Sequence, residues 1–418
     1  MPSQRSGATR KAVLVVAVAL VAVVLGALVI VPLRPIATML AIRVLNQFPS
    51  SGGPPVPIES ADTSGTGPGS LVSATTMPGV TRTVEGRRLR AARVVYRSTS
   101  GDTGEATVVS GSVFTPLNDA PDGGWPVVAF GHGTLGIDPH CAPSLSPSLM
   151  NLVNVVRVLT QQGYAVALPD YQGLGVKGVH PYSDARTAGL NMIDAVRALR
   201  HTFDGVSDNW AALGDSQGGA ASWAADEQAQ AYAPELHLVG AVASSPAADI
   251  SGIVSKAEEG TLTVEQRPVM QAVIESLARL HPDLDRDDYR RFEATRHWDQ
   301  LSDCTEEGAY ARAAAIQRIG PREFTPKTPQ AADRLRGLLE DWALPQKPLS
   351  APLYVFYGGK DPFIDAEWTG SAIEEACALG GVVSIEFDPE AGHNPADAIQ
   401  MLDWIDDRFA GRPAPNDC

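Results

Sequence analysis

Three side chains in this chain have the types and the order needed for nucleophilic attack on a carbonyl: Ser216, Asp361 and His393. Ser216 sits in Gly214-Asp215-Ser216-Gln217-Gly218, after the apolar Trp210-Ala211-Ala212-Leu213 and before the helix-prone Ala220-Ala221-Ser222-Trp223-Ala224-Ala225. Strand, sharp turn and helix around one serine make a nucleophile elbow, in which the flanking glycines leave room for a turn too tight for side chains and the hydroxyl stands above the sheet. A serine hydroxyl is a weak nucleophile at neutral pH, so it needs a base, and the base needs a carboxylate to fix its tautomer. In a chain with 39 glycines the pentapeptide alone carries limited weight. The order of acid and base behind it adds the rest: Gly358-Gly359-Lys360-Asp361-Pro362 and Ala391-Gly392-His393-Asn394 each follow an apolar run. His393 is the only one of eight histidines C-terminal to Asp361. Asp365 and Asp388 are alternative acids; Asp361 is preferred because it comes first after the strand and its glycine turn. Taken alone, an aspartate before proline would be read as a turn cap.

Charge stabilisation in acyl transfer needs two backbone N–H donors, one of them directly after the nucleophile. Gln217 supplies that one. The second is expected from Gly131-His132-Gly133-Thr134-Leu135-Gly136, at Thr134 with Gly133 next in preference, and His132 is read as ordering this loop rather than as a base. His132, His140 and Cys141 do not have metal-ligand spacing, and Gly173-Leu174-Gly175 lacks the third glycine of a dinucleotide fingerprint, so neither a metal nor a cofactor is expected.

Six short apolar runs would position these residues: Pro126 to Phe130, Tyr164 to Leu168, Trp210 to Leu213, Leu238 to Ala243, Leu353 to Tyr357 and Val382 to Phe387. They alternate with helical stretches, the pattern of a mostly parallel central sheet with helices on both faces, an α/β fold. Before them, Ala92–Ser98 and Ala106–Phe114 flank Ser100-Gly101-Asp102-Thr103-Gly104 and read as an antiparallel hairpin. Between the fourth and fifth runs lies a long, charge-rich helical stretch, read as a cap inserted at about 246–350. The catalytic domain is expected over 71–418, preceded by a flexible Gly/Pro/Ser/Thr-rich linker over 35–70.

The formal charge of −15 and a pI near 5.0 oppose a phosphate backbone, which argues against nucleic acid as a partner. Residues 12–33 are apolar and uncharged, with Arg5, Arg10 and Lys11 ahead of them. They are read as a transmembrane anchor within residues 1–34 that tethers an exported protein to the membrane, in preference to a long signal peptide that would leave it secreted. Export suits the even set of four cysteines, Cys141, Cys304, Cys377 and Cys418. Three pairings are possible; Cys377 in a late helix and the terminal Cys418 suit a clamp on the tail.

With these residues in place the chain resembles the secretory lipase family of the α/β-hydrolase superfamily from about Leu71 onward. The narrower marks are Tyr96-Arg97-Ser98-Thr99, Gly131-His132-Gly133, Pro169-Asp170-Tyr171-Gln172-Gly173-Leu174-Gly175 followed by His180-Pro181-Tyr182, the elbow, and Asp407-Arg408-Phe409-Ala410-Gly411. The resemblance implies a Ser216, Asp361, His393 triad, hydrolysis of carboxylic esters including acylglycerols, and a helical cap over an acyl pocket. It also implies Cys141 with Cys304 and Cys377 with Cys418. The membrane tether departs from a family whose lipases are released after signal cleavage. Gln217 followed by two glycines is also similar to deacetylases of short acyl groups on sugars. A serine peptidase of the same fold and a non-catalytic binding module stand as the other readings.

Overall fold

A computed structural model describes residues 53–395 and 398–418. Nine strands form one sheet: β1 (Leu71–Thr76), β2 (Leu89–Thr99), β3 (Ala106–Pro116), β4 (Trp125–Gly131), β5 (Ala165–Pro169), β6 (Val206–Asp215), β7 (His237–Ser244), β8 (Leu353–Gly358) and β9 (Val383–Asp388). Their order across the sheet is β1-β2-β3-β5-β4-β6-β7-β8-β9. The first three pair antiparallel, with β2 and β3 forming the expected hairpin in unbroken register from Thr99 opposite Ala106 to Leu89 opposite Pro116. From β5 to β9 every pairing is parallel, and these strands match the six apolar runs of the sequence. This is the α/β-hydrolase fold.

Helices of eight or more residues are α1 (Val153–Gln161), α2 (Ala185–Thr202), α3 (Gln217–Tyr232), α4 (Gly252–Glu259), α5 (Gln266–Leu280), α6 (Ala309–Arg318), α7 (Pro329–Glu340), α8 (Ala366–Ala378) and α9 (Ile399–Phe409). Alternation along the strands builds two cores. Val127 and Ala129 of β4 face one cluster with Met192 of α2, Trp223 of α3 and Ile373 of α8. Val128 and Phe130 face the other, with Val156 of α1 and Ile405 of α9. Helix α3 is buried almost all round. Its small residues allow α2 to approach so closely that a Cβ on Gly189 would lie 2.6 Å from the Ala225 nitrogen.

Helices α4 to α7 lie between β7 and β8 and carry a third cluster of their own around Val254, Met270, Ile274, Phe324 and Leu335. Ile137, Tyr182 and Ile364 reach into it from the body of the fold. Of the stretch read as linker over 35–70, residues 35–52 lie outside the described region. The part that is described runs along the body: Ile58 N donates to Ala74 O at 3.0 Å and Asp62 N to His201 O at 2.8 Å.

The expected transmembrane helix requires correction, and with it the membrane as a partner. Among the described residues no helix is long and apolar enough to cross a membrane. Even the 18-residue α2 carries Arg186, Asp194, Arg197 and Arg200, charges that would each have to be buried in hydrocarbon. Residues 12–33, to which the span was assigned, lie outside the described region.

The cysteines form Cys141–Cys304, between the loop after β4 and the insertion, and Cys377–Cys418, between α8 and the tail. The tail lies against the outer edge of β9: Asp417 N donates to Val383 O at 2.8 Å, and Ile385 N donates to Asp417 Oδ2 at 2.8 Å. This covers a strand edge that would otherwise present unpaired backbone groups. Replacing Cys377 and Cys418 together by serine is expected to lower unfolding free energy by about 2–4 kcal/mol, from the freed loop entropy of the unfolded chain. Urea denaturation checks this, and an unchanged midpoint would show that the edge bonds hold the tail without the cross-link.

Candidate active site

The strand-to-helix turn at Ser216 has the geometry its glycines suggest. Ser216 takes φ +57°, ψ −117°, a conformation costing of order 1–3 kcal/mol for a non-glycine residue. The surrounding structure holds it there: Ser216 N donates to Ser244 O at 2.9 Å, and Ser216 O accepts from Ala220 N at 3.1 Å and Ala247 N at 3.2 Å. A Cβ at Gly214 would lie 1.9 Å from Gly218 O, and one at Gly218 would lie 2.0 Å from Gly131 O. Any side chain at either position would push the start of α3 away from β6 and β4.

Asp361 follows β8 and His393 follows β9, neighbouring strands of the sheet. His393 Nδ1 lies 2.6 Å from Asp361 Oδ2. The other carboxylate oxygen accepts from Phe363 N at 2.8 Å and Ile364 N at 3.1 Å, so the acid is held by its own turn while serving the histidine. The two alternative acids are engaged elsewhere. Asp365 pairs with Lys256 at 2.7 Å and accepts from Gln266 Nε2 at 2.8 Å, and Asp388 Oδ1 caps the turn at Glu390 N and Ala391 N. Burial alone would lower the His393 pKa; the hydrogen bond and charge of Asp361, with Asp215 adding to them, outweigh it and hold the imidazole above its ordinary value.

Two features of this region have no signal in the motifs. Ser245, buried and at φ +41°, donates from Oγ to His393 O at 2.5 Å and so ties the histidine loop to the end of β7. Asp215, next to the serine, has its carboxyl pKa raised by burial against the pull of His393.

The loop after β4 crosses close to the elbow: a Cβ on Gly133 would stand 3.5 Å from Asp215 O and 3.6 Å from Ser216 Cβ. His132 is buried with Nδ1 2.7 Å from Gly133 O, and burial pushes its pKa down to about 4, so it orders the loop as a neutral ring. Thr134 Oγ1 is 2.8 Å from Tyr182 Oη. A cleft of about 390 Å³ opens beside Thr134, lined among others by Leu135, Leu145, Met150 and Arg312 of α6.

The insertion is fastened to the acid turn. Thr263 Oγ1 donates to Pro362 O at 2.7 Å, and the fully buried Gln266 donates to Phe363 O at 3.1 Å as well as to Asp365. Among the described residues, His140, Cys141 and Cys304 have ligand atoms within 4.8 Å of one another. Both sulfurs are consumed by the disulfide, which leaves no thiolate to bind a metal.

Fold and elbow together define the α/β-hydrolase class. A sequence model of the secretory lipase family matches residues 147–417, and the chain belongs to that family. Membership supports an exported, secreted protein, the setting in which disulfides persist. A Mycobacterium tuberculosis protein described as a probable inactive lipase is 28% identical over 351 residues, covering 77% of this chain and 74% of its own. Lipase 6 of Candida albicans is 26% identical over 344 residues, 73% of this chain and 70% of that one. The closed-state structure of Candida antarctica lipase A superposes with a TM-score of 0.67 at 18% identity, over 86% of this chain and 87% of that one. At that identity the likeness speaks for the fold.

Proposed function

We propose that Ser216, His393 and Asp361 are the catalytic triad of this hydrolase, with acylglycerols or other acyl esters as its substrates. The observation that carries the reading is the 2.6 Å contact of His393 Nδ1 with Asp361 Oδ2, on the loops after the neighbouring strands β9 and β8. A proton on Nδ1, donated to the carboxylate, leaves Nε2 as the acceptor for the Ser216 hydroxyl. Ser216 Oγ attacks the ester carbonyl as His393 takes its proton. The N–H groups of Gln217 and of Thr134 or Gly133 receive the oxyanion, and His393 returns the proton to the departing alcohol. Water then attacks the acyl-enzyme by the same route in reverse. The domain reading that goes with this takes residues 71–418 as the catalytic domain and 246–350 as its cap.

Hydrolysis of a p-nitrophenyl ester series from acetyl to palmitoyl tests the substrate class, with a fluorophosphonate probe and peptide mapping alongside. Turnover at long chains with the adduct on Ser216 supports a lipase; a maximum at acetyl supports a short-chain deacetylase; an adduct on another residue overturns the nucleophile. The non-catalytic reading is favoured by one observation, the likeness to the probable inactive lipase. Against it, serine, acid and histidine are all present here.

Because His393 must be neutral to accept a proton and its pKa is raised by Asp361, kcat/KM is expected to fall as pH drops through a value above 6.5. A pH–rate profile on a soluble ester checks the position of that limb.

A further inference from the structure

The turn His180-Pro181-Tyr182 touches both arms of the proposed oxyanion hole and one helix of the insertion. His180 Nε2 lies 2.9 Å from Gln217 Nε2, and its Nδ1 lies 2.9 Å from Gln172 O. These contacts fix the roles: Nδ1–H donates to the Gln172 carbonyl, and Nε2 accepts from the Gln217 amide, an arrangement only the neutral ring can make. Burial keeps it neutral by pushing the His180 pKa down to about 4. Two residues further on, Tyr182 Oη meets Thr134 Oγ1 at 2.8 Å. Both His180 and Tyr182 are almost completely buried.

The turn is held from the insertion. Ser276 of α5 donates from Oγ to His180 O at 2.6 Å and accepts from Tyr182 N at 2.9 Å, so one buried hydroxyl binds both ends of the tripeptide. Rings support it from the other side: His180 stacks on Tyr171, with centroids 6.1 Å apart and planes 9° apart, and Tyr171 Oη donates to His132 O at 3.0 Å.

Two donors can stabilise one oxyanion only if both lie near 3 Å from it, and they come here from separate elements, the start of α3 and the loop after β4. Close packing of Gly131 against Gly218 sets their spacing at the base. We propose that His180 and Tyr182 are positioning residues that set the spacing at the tip, and that Ser276 makes this setting depend on the seat of helix α5. The inference rests on the reading of Gln217 and Thr134 as oxyanion donors. A shift of α5 at its Ser276 end, brought about by substrate or surface, would then alter transition-state stabilisation directly.

The test uses Tyr182→Phe, Ser276→Ala and His180→Leu in the full chain, with Ser216→Ala as reference. Steady-state kinetics on p-nitrophenyl butyrate are read beside the Ki of an alkyl trifluoromethyl ketone, whose adduct places an oxyanion in the hole. Tyr182→Phe and Ser276→Ala should each lower kcat about 10–100-fold, because small misplacements of a donor are costly. KM should stay within about twofold and Ki should weaken in step with kcat. The Tyr182→Phe, Ser276→Ala double variant should lose less than the product of the two single losses, since both act on one turn. Wild-type kcat and Ki in folded Tyr182→Phe and Ser276→Ala proteins would overturn the inference, as would a fall in kcat with Ki unchanged. Fully multiplicative losses would overturn the link to the cap. His180→Leu guards against a variant-specific effect: its kcat and Ki should move together as well. Turnover surviving in Ser216→Ala, or a wild-type protein indifferent to the ketone, would instead remove the underlying triad or oxyanion reading.

Discussion

Replacing Ser216 by alanine is expected to lower kcat for ester hydrolysis by about 10⁴-fold or more while the fold and melting temperature stay close to wild type. The magnitude follows from removing the atom that forms the acyl-enzyme; what remains is the rate supported by binding and the oxyanion donors alone. Preservation of the fold follows from the position of the hydroxyl. The bonds that hold the elbow run through backbone atoms, from Ser216 N to Ser244 O and from Ala220 N and Ala247 N to Ser216 O. Alanine keeps all of them and carries the same positive φ with no greater crowding. Burst kinetics on p-nitrophenyl esters, with circular dichroism alongside, give the answer, and an active alanine variant would require a different nucleophile.

Asp361→Asn is expected to cost about 10⁴-fold in kcat, the loss seen when a triad carboxylate becomes an amide and the histidine tautomer is no longer enforced. Asparagine keeps an oxygen to accept from Phe363 N and Ile364 N, so the turn survives. Its amide can present N–H toward His393 Nδ1, which turns the ring's acceptor the wrong way. The substitution also removes the largest interactions that raise the His393 pKa, so the residual activity should show its acid limb at lower pH than the wild type. Asp365→Asn is the contrasting variant: Asp365 pairs with Lys256 and Gln266 rather than with the histidine. Comparable losses in both, without a shifted limb in Asp361→Asn, would return the choice of acid to an open question.

The parallel sheet was legible because its strands contain short apolar runs between turn residues, and burial on both faces leaves a continuous hydrophobic signature in strands such as the fully buried Ala165–Pro169. The hairpin was legible from its glycine turn. β1 carries no such signal, since Leu71–Thr76 is half polar without a clean alternation and forms by pairing with β2 at the edge of the sheet. At the proposed site, Ser216 and His393 could be put forward from their local motifs and chain order. The contacts that orient them could not. His180 meets Gln217 across 37 residues, Tyr182 meets Thr134 across 48 and Ser245 meets His393 across 148. Such pairs are made by packing, and no local pattern announces them. Asp361, preferred on its position after the strand, differs from Asp365 and Asp388 in partners that only the fold assigns: His393 for Asp361, Lys256 and Gln266 for Asp365, its own turn for Asp388.

Helix α5 is fastened at both ends, through Gln266 to the acid turn and through Ser276 to the turn beside the oxyanion loop. The insertion is therefore not an interchangeable module. A chimera that grafts a relative's helices between β7 and β8 to change chain-length preference would retune acid and oxyanion geometry together, unless the residues corresponding to Gln266 and Ser276 are grafted with their contacts intact. Selectivity is more safely redesigned at α6, where Arg312 lines the cleft beside Thr134 and only Ala315 is buried.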